Sequence, residues 1–324
     1  MDGYNLYHLF DWGIFHVVNV FIKIMIIFFL FTQAFIFQVY SQIAKSLQEK
    51  GLTGLSVLYY SKFTIYPSLV LLMFFWDKNS FQYLMSNKHI LLVFIGFLIS
   101  SSIFQYIYFV SRHMVKALSF VSVVLNAVGL PAIVITSFLI NKDIPSVYEI
   151  FGILFLILAL ILKPSNGKTK NVSQLRYSVI TIVAISVVYL VLQTIKDPLY
   201  REFMMNIPNT IFAVALYLTC SSIIINIFFL FKKKPSEIKI IDGDNKTRFY
   251  AYLIPTLLFI GSIPEAYSFA NVPAFTVVAV SMVNMIMSLT SDLKNKRIIF
   301  STRTAIFIVF VLVGISLNIF GRLY

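Results

Sequence analysis

Ten stretches of the chain are almost unbroken runs of apolar side chains, and each approaches the roughly 20 residues that cross the hydrocarbon core of a bilayer as a helix. They cover 18–41, 52–76, 89–111, 117–140, 146–162, 177–195, 209–231, 249–269, 273–292 and 303–321. Charge, glycine or proline punctuates most of the gaps, as in Glu49-Lys50-Gly51, Asp77-Lys78-Asn79, Asn141-Lys142-Asp143 and Lys163-Pro164. The connectors 163–176 and 232–248 are longer, hydrophilic enough to be solvated and too short to hold a further domain. Residues 4–16 mix aromatics with His8, Asp11 and His16. They predict an interfacial segment, 1–17, lying on the membrane before the first span. Lipid tolerates no open strand edge, so the runs are read as helices and the chain as an all-α integral membrane protein with ten transmembrane helices.

Composition strengthens that reading. Hydrophobic residues make up 59% of the chain, aromatic residues 16% and charged residues 12%, with a mean hydropathy of +0.87. Soluble domains are closer to 45–50% apolar and about 25% charged. A soluble enzyme, a coiled coil, a disordered tail and a disulfide scaffold are thereby set aside. The single cysteine, Cys220, allows no internal disulfide and no cysteine-based zinc cluster. His8, His16, His89 and His113 are scattered, so no metal site is expected, and nothing in the sequence calls for a cofactor. The first basic residue is Lys23, which argues against a cleaved signal peptide.

The net charge of +13 would suit a nucleic-acid partner, but the basic residues sit in connectors between apolar runs, without an aromatic-interleaved basic face. Anionic lipid headgroups are the expected partner and nucleic acid is not. The odd-numbered connectors hold most of the lysine and arginine. The positive-inside rule then puts them in the cytoplasm and both termini outside.

The two halves match each other at an offset near half the chain. Ser102-Ile103-Phe104-Gln105, followed by Phe109, corresponds to Ser262-Ile263-Pro264-Glu265, followed by Phe269. Leu30 and Gln33 correspond to Leu190 and Gln193 at the same spacing, and further on Asn126 pairs with Asn284. The order of the matches predicts a 5+5 duplication, with a first repeat over 18–162, a linker over 163–176 and a second repeat over 177–324. An odd number of spans per unit inverts the second unit in the membrane. Inverted repeats of this kind build alternating-access transporters.

The residues also resemble the drug/metabolite transporter superfamily, near its EamA-like branch and its nucleotide-sugar and triose-phosphate relatives. The resemblance rests mainly on 108–162. There a tight turn from Tyr108-Phe109 to Lys116-Ala117 leads into LPAIVITSFLINKDIP and a fifth helix bearing Gly152. It is echoed over 266–318, from AYSFANVPAF to the last run with Gly314. Lys62 also resembles a basic residue common in that family. Where the family often has a glutamate after the fourth span, this chain has Asp143. The Lys-Arg pair of sugar-phosphate carriers is replaced near Asn284 by Met287-Ser288, which argues against a phosphate-ester substrate. Such family members expect both termini in the cytoplasm, against the charge rule.

Polar side chains inside the runs are the candidate site. A charge at a helix centre costs about 2.5–3.5 kcal/mol on insertion scales, so each needs a reason. Glu265 is the only carboxylate well inside a run and follows Pro264. It reads either as a proton- or cation-binding coupling group, or as a carboxylate near a helix end that pairs with a lysine. Lys62 reads as a substrate contact or as a structural or snorkelling lysine, and Lys23 as snorkelling. Ser119, Ser122, Asn126 and Gly129 share one helix face, as do Ser281, Asn284, Ser288 and Ser291. Such stripes suit cavity lining and helix packing alike. The amides of Gln33, Gln105 and Gln193 cost too much to face lipid. The substrate-binding candidates are therefore Gln33, Lys62, Gln105, Tyr108, Asn126, Gln193 and Asn284, with Glu265 coupling.

The expected function is a secondary transporter moving a small polar or amphipathic metabolite by alternating access. The expected location is a cell membrane, inner or plasma, with a eukaryotic endomembrane as the other option. An organic-anion or nucleotide-sugar antiporter is the alternative within transport, and a non-transporting membrane or lipid-flipping helper is the alternative outside it. An enzyme is not expected, because no carboxylate pair or His–carboxylate pair stands ready at the interface. Asp242 and Asp244 have no histidine nearby, and Asp77 and His89 are far apart in sequence.

Overall fold

All ten apolar runs are helical in the computed structural model, which describes residues 4–111, 119–162, 179–231, 245–294 and 300–323. Helix α1 (Tyr4–Glu49) starts well before the first run. Nothing between Tyr4 and the run ends a helix, since there is no proline and an isolated Gly13 costs only about 1 kcal/mol. The stretch read as a separate interfacial segment is thus the first part of α1. The second run folds as α2 (Gly54–Ser61), a 3₁₀ turn (Lys62–Thr64) and α3 (Ile65–Phe74). Pro67 lacks the N–H that would bind the carbonyl of Phe63, which favours tightening at this point.

A short helix unforeseen in the sequence, α4 (Lys78–Ser86), follows. Asp77 caps it, accepting from the Ser80 hydroxyl at 2.7 Å and the Asn79 N–H at 3.0 Å. The Ser80 hydrogen bond, foremost among these contacts, holds the Asp77 carboxyl below its usual range. Then come α5 (Lys88–Ser111), α6 (Ser119–Asn141), α7 (Val147–Leu162), α8 (Val179–Asn206) and α9 (Thr210–Phe231). The remaining helices are α10 (Asn245–Asn271), α11 (Ala274–Ser281), α12 (Val283–Lys294) and α13 (Thr302–Leu323).

Among the described residues six helices are long and apolar enough to cross a membrane: Asn19–Ala44, Gly54–Phe74, Lys88–Ile107, Thr210–Phe231, Thr247–Asn271 and Thr302–Arg322. Val128–Asn141, Val147–Leu162 and Ala274–Met287 are shorter apolar helices. The chain is a helical multi-pass membrane protein. Phe21, Phe28, Leu92 and Leu230 are exposed on the outside of the bundle, where lipid is their solvent. Lipid removes most of the hydrophobic drive between helices, leaving close packing and polar contacts to hold them.

The packing is reciprocal. Helix α1 lies along α10 and α5 lies along α8, while α7 packs against α13 and α3 against α9. At the α7–α13 crossing, two glycines bring the backbones together. A Cβ on Gly152 would stand 2.7 Å from the Gly314 carbonyl oxygen, and one on Gly314 would stand 2.8 Å from that of Gly152. The α5–α8 contact is a stack of aromatic rings, Phe97 on Tyr200 at 4.5 Å and Phe94 on Phe203 at 4.6 Å.

Helix α8 overturns the boundary expected at 195. Lys196-Asp197-Pro198 reads as a helix stop, yet the helix continues to Asn206. Pro198 leaves the Thr194 carbonyl without its usual donor. The Thr136 hydroxyl on α6 takes that place at 2.7 Å, and Asn141 donates to the Pro198 carbonyl at 3.2 Å. Tyr200, Phe203 and Met204 are then buried.

Two apolar clusters lie towards opposite ends of α10. The larger holds Phe97, Tyr200, Phe203, Phe269 and Phe275. The smaller gathers Tyr40, Leu47, Val57, Leu58, Ile225 and Ile254. They define an Arg201 end and a Lys50 end of the bundle.

Candidate functional site

A cavity of about 360 Å³ lies between the two clusters. Phe37, Gln38, Tyr40 and Ser41 of α1 line it, as do Ser101, Phe104 and Gln105 of α5. From the second half of the chain come Lys196 of α8 and Leu258, Ser262 and Glu265 of α10. Helix α9 adds Tyr217, Ser221 and Ser222, and α12 adds Asn284. The 3₁₀ turn shapes one wall. Positions three apart eclipse in such a turn, so Ser61 and Thr64 both face the cavity.

The charged groups are Lys196 and Glu265. Lys196 is paired with its neighbour Asp197 at 2.6 Å and lies 5.1 Å from the Phe104 ring centroid. Its ammonium is also within Coulombic reach of Glu265. Glu265 faces Asp197 as well, so the three form an acid–base–acid cluster on α8 and α10. Beside them the Tyr217 hydroxyl is 2.8 Å from that of Ser101 and is hydrogen-bonded to Gln105. The Asn284 Oδ1 is buried without a hydrogen-bond partner among the described residues. An amide oxygen withdrawn from water in this way costs about 1–3 kcal/mol.

Of the residues singled out in the sequence, the cavity gathers Gln105, Asn284 and Glu265. It does not gather Gln33, Lys62 or Gln193. Gln33 is 3% exposed and sits one turn before Phe37 on α1, and Gln193 sits one turn before Lys196 on α8. Lys62 points its ammonium at the Tyr59 ring, 3.7 Å from the centroid. The turn that brings Ser61 and Thr64 inward carries Lys62 elsewhere, and a cation–π contact replaces the water its charge has lost. The side chains of Tyr108, Asn126, Ser119, Ser122, Ser288 and Ser291 lie outside the described residues.

Lys196 lies just past the apolar run that ends at 195, so hydropathy alone does not place it in the helix. One signal for it is present: Tyr40 and Tyr200 continue the same offset as Gln33 and Gln193, past the end of the apolar run.

A second polar system closes the Arg201 end. Lys142, in the left-handed conformation at φ 60°, ends α6 and turns the chain into Asp143. Arg201 binds both carboxylate oxygens of Asp143, at 2.6 and 2.9 Å. It also donates to the carbonyls of Phe269 and Val272 at the end of α10, at 2.9 and 2.7 Å. Arg201 and Asp143 side chains are only 5% and 8% exposed. Nearby, Ser146 and Glu149 form a reciprocal N-terminal box on α7. The other carboxylate oxygen of Glu149 accepts from Thr276 of α11 at 3.0 Å. The α6–α7 and α10–α11 connections are thus both tied to α8 at that end.

Compared with known proteins, the sequence matches no protein-family profile and no curated protein. Chains of known structure do share its fold. One crystallised protein superposes with a TM-score of 0.62 at 11% identity, over 90% of this chain and 94% of its own. At that identity the likeness is one of fold alone.

Proposed function

We propose that the chain is a secondary transporter for a small polar metabolite, similar to the EamA-like members of the drug/metabolite transporter superfamily. The observation that carries the reading is the composition of the cavity wall. Gln105 on α5 and Glu265 on α10 hold matching places in the two halves of the sequence and line one cavity, together with Lys196 and several hydroxyls. The reciprocal packing of α1 on α10 and α5 on α8, and the Gly152–Gly314 crossing, are what a 5+5 inverted repeat of 18–162 and 177–324 would produce. In such a repeat the site would lie within the membrane, and Glu265 is six residues, roughly 9 Å of helix, from Asn271 at the end of α10.

In this reading the Asp143–Arg201 clasp and the aromatic layer of Phe97, Tyr200 and Phe269 close one route to the cavity. Breaking that layer while closing the other would expose the site alternately. Glu265 would couple the cycle by taking up and releasing a proton. The test is flux into liposomes containing only the purified chain, screened for uptake and efflux at two pH values. Saturable flux of a small polar metabolite supports the proposal. A correctly folded chain that moves none of them would favour a helper subunit instead.

A further inference from the structure

We propose that the cavity takes a hexose-sized, polyhydroxylated ligand bearing one protonated amine and no phosphate, with Glu265 as the counter-ion of the amine. The proposal concerns the same cavity as the transport reading and rests on that reading only for the passage of the ligand.

The first argument is charge. Every element around Glu265 contributes to the count: Lys196 and Asp197 from α8, the Tyr200 and Tyr217 hydroxyls from α8 and α9, and uncharged groups from α1, α5 and α12. Lys196 is held by Asp197 at 2.6 Å, so that pair is close to neutral. When ionised, Glu265 then carries the surplus negative charge. A phosphate monoester carries about −1.5 to −2 at neutral pH and would meet like charge in a desolvated space. Arg201, the nearby guanidinium suited to phosphate, already spends its donors on Asp143 and two carbonyls. A single ammonium on the ligand balances Glu265 and leaves no net charge.

The second argument is the kind of surface. Ser221, Ser222, Gln38 and Gln105 present hydroxyls and amides to the cavity. Phe37, Phe104 and Tyr217 add aromatic surface to the wall, apolar enough to meet the C–H groups of a sugar ring. The third argument is size. A volume of about 360 Å³ is near the lower end of the roughly 300–1,000 Å³ typical of ligand sites, matching one ring rather than a base, a ribose, two phosphates and a sugar.

The experiment is isothermal titration of the full chain in lipid nanodiscs with glucosamine, glucose and glucose 6-phosphate at neutral pH. The wild type should bind glucosamine at least about tenfold more tightly than glucose, and glucose 6-phosphate more weakly than either. Glu265→Gln should abolish the preference for the amine, whereas Glu265→Asp, which keeps the charge, should retain it. Binding of the phosphate ester as tight as that of the amine, equal binding of glucosamine and glucose, or binding of none of the three overturns the proposal. The wild-type ranking decides this even if a variant fails to fold. Tight amine binding without flux in liposomes would instead remove the transport reading and leave the ligand class standing. Flux of another solute without amine preference would do the reverse.

Discussion

At the residue scale, Gln105 and Glu265 place a neutral amide and a carboxyl group on the wall of one cavity. Glu265→Gln preserves shape and hydrogen bonding while removing titration. The variant is expected to insert and fold normally and to retain only part of its substrate exchange, since the counter-ion of the amine is gone, and to lose pH-driven accumulation by roughly tenfold or more. Accumulation measured with and without a pH gradient checks this, and unchanged pH dependence would make Glu265 a structural residue. Arg201 sits in a different kind of balance. A buried ion pair that loses one partner destabilises by about 3–5 kcal/mol, because the other charge is left uncompensated. Arg201→Met should therefore lower the thermal midpoint sharply, and Asp143→Met with Arg201→Met should recover part of the loss. An unaffected midpoint in the single variant would mean that the clasp is solvated.

At the element scale, the sequence was most informative where apolar periodicity alone decides, and least where one polar contact overrides a local signal. All ten runs are legible as helices because lipid leaves the backbone no other way to bond itself. Lys196-Asp197-Pro198 looked like a terminus because nothing local announces that Thr136, far away in sequence, will satisfy the carbonyl freed by the proline. In the same way Lys62 could not be told from a ligand contact without the turn that points it at Tyr59. The crossing of α7 and α13 allows a sharp test. Gly152→Ala would force a Cβ against the Gly314 carbonyl at 2.7 Å, whereas a Cβ at Gly96 would meet only Leu199 at an ordinary 3.5 Å. Overpacking of this kind costs about 1–3 kcal/mol. Thermal unfolding should separate the two variants, with Gly152→Ala destabilised and Gly96→Ala close to wild type. Equal midpoints would contradict the close backbone contact.

At the scale of the whole molecule, burial changes the charge pattern that sets orientation. Lys196 and Arg201 fall in what the sequence presents as an even-numbered connector, but both are held inside the bundle by carboxylates. They are therefore removed from the basic residues available to headgroups on the Arg201 face, and the excess on the Lys50 face grows. The positive-inside rule then favours the Lys50 face as cytoplasmic. Cysteines placed at residues 3 and 322 should label from the same, non-cytoplasmic side. Labelling from opposite sides would refute an even number of spans.

The central claim is that one cavity is reached from each face in turn, and accessibility of a single cysteine tests it most directly. With Cys220 replaced by serine, Gln105→Cys places a thiol on the cavity wall. In oriented vesicles the thiol should react with a membrane-impermeant reagent from the Lys50 face while the Arg201 clasp is intact. It should become reactive from the opposite face when Arg201→Met loosens that clasp. Reaction from one face only, in both backgrounds and with both folded, would make the cavity a closed-ended pocket and contradict alternating access.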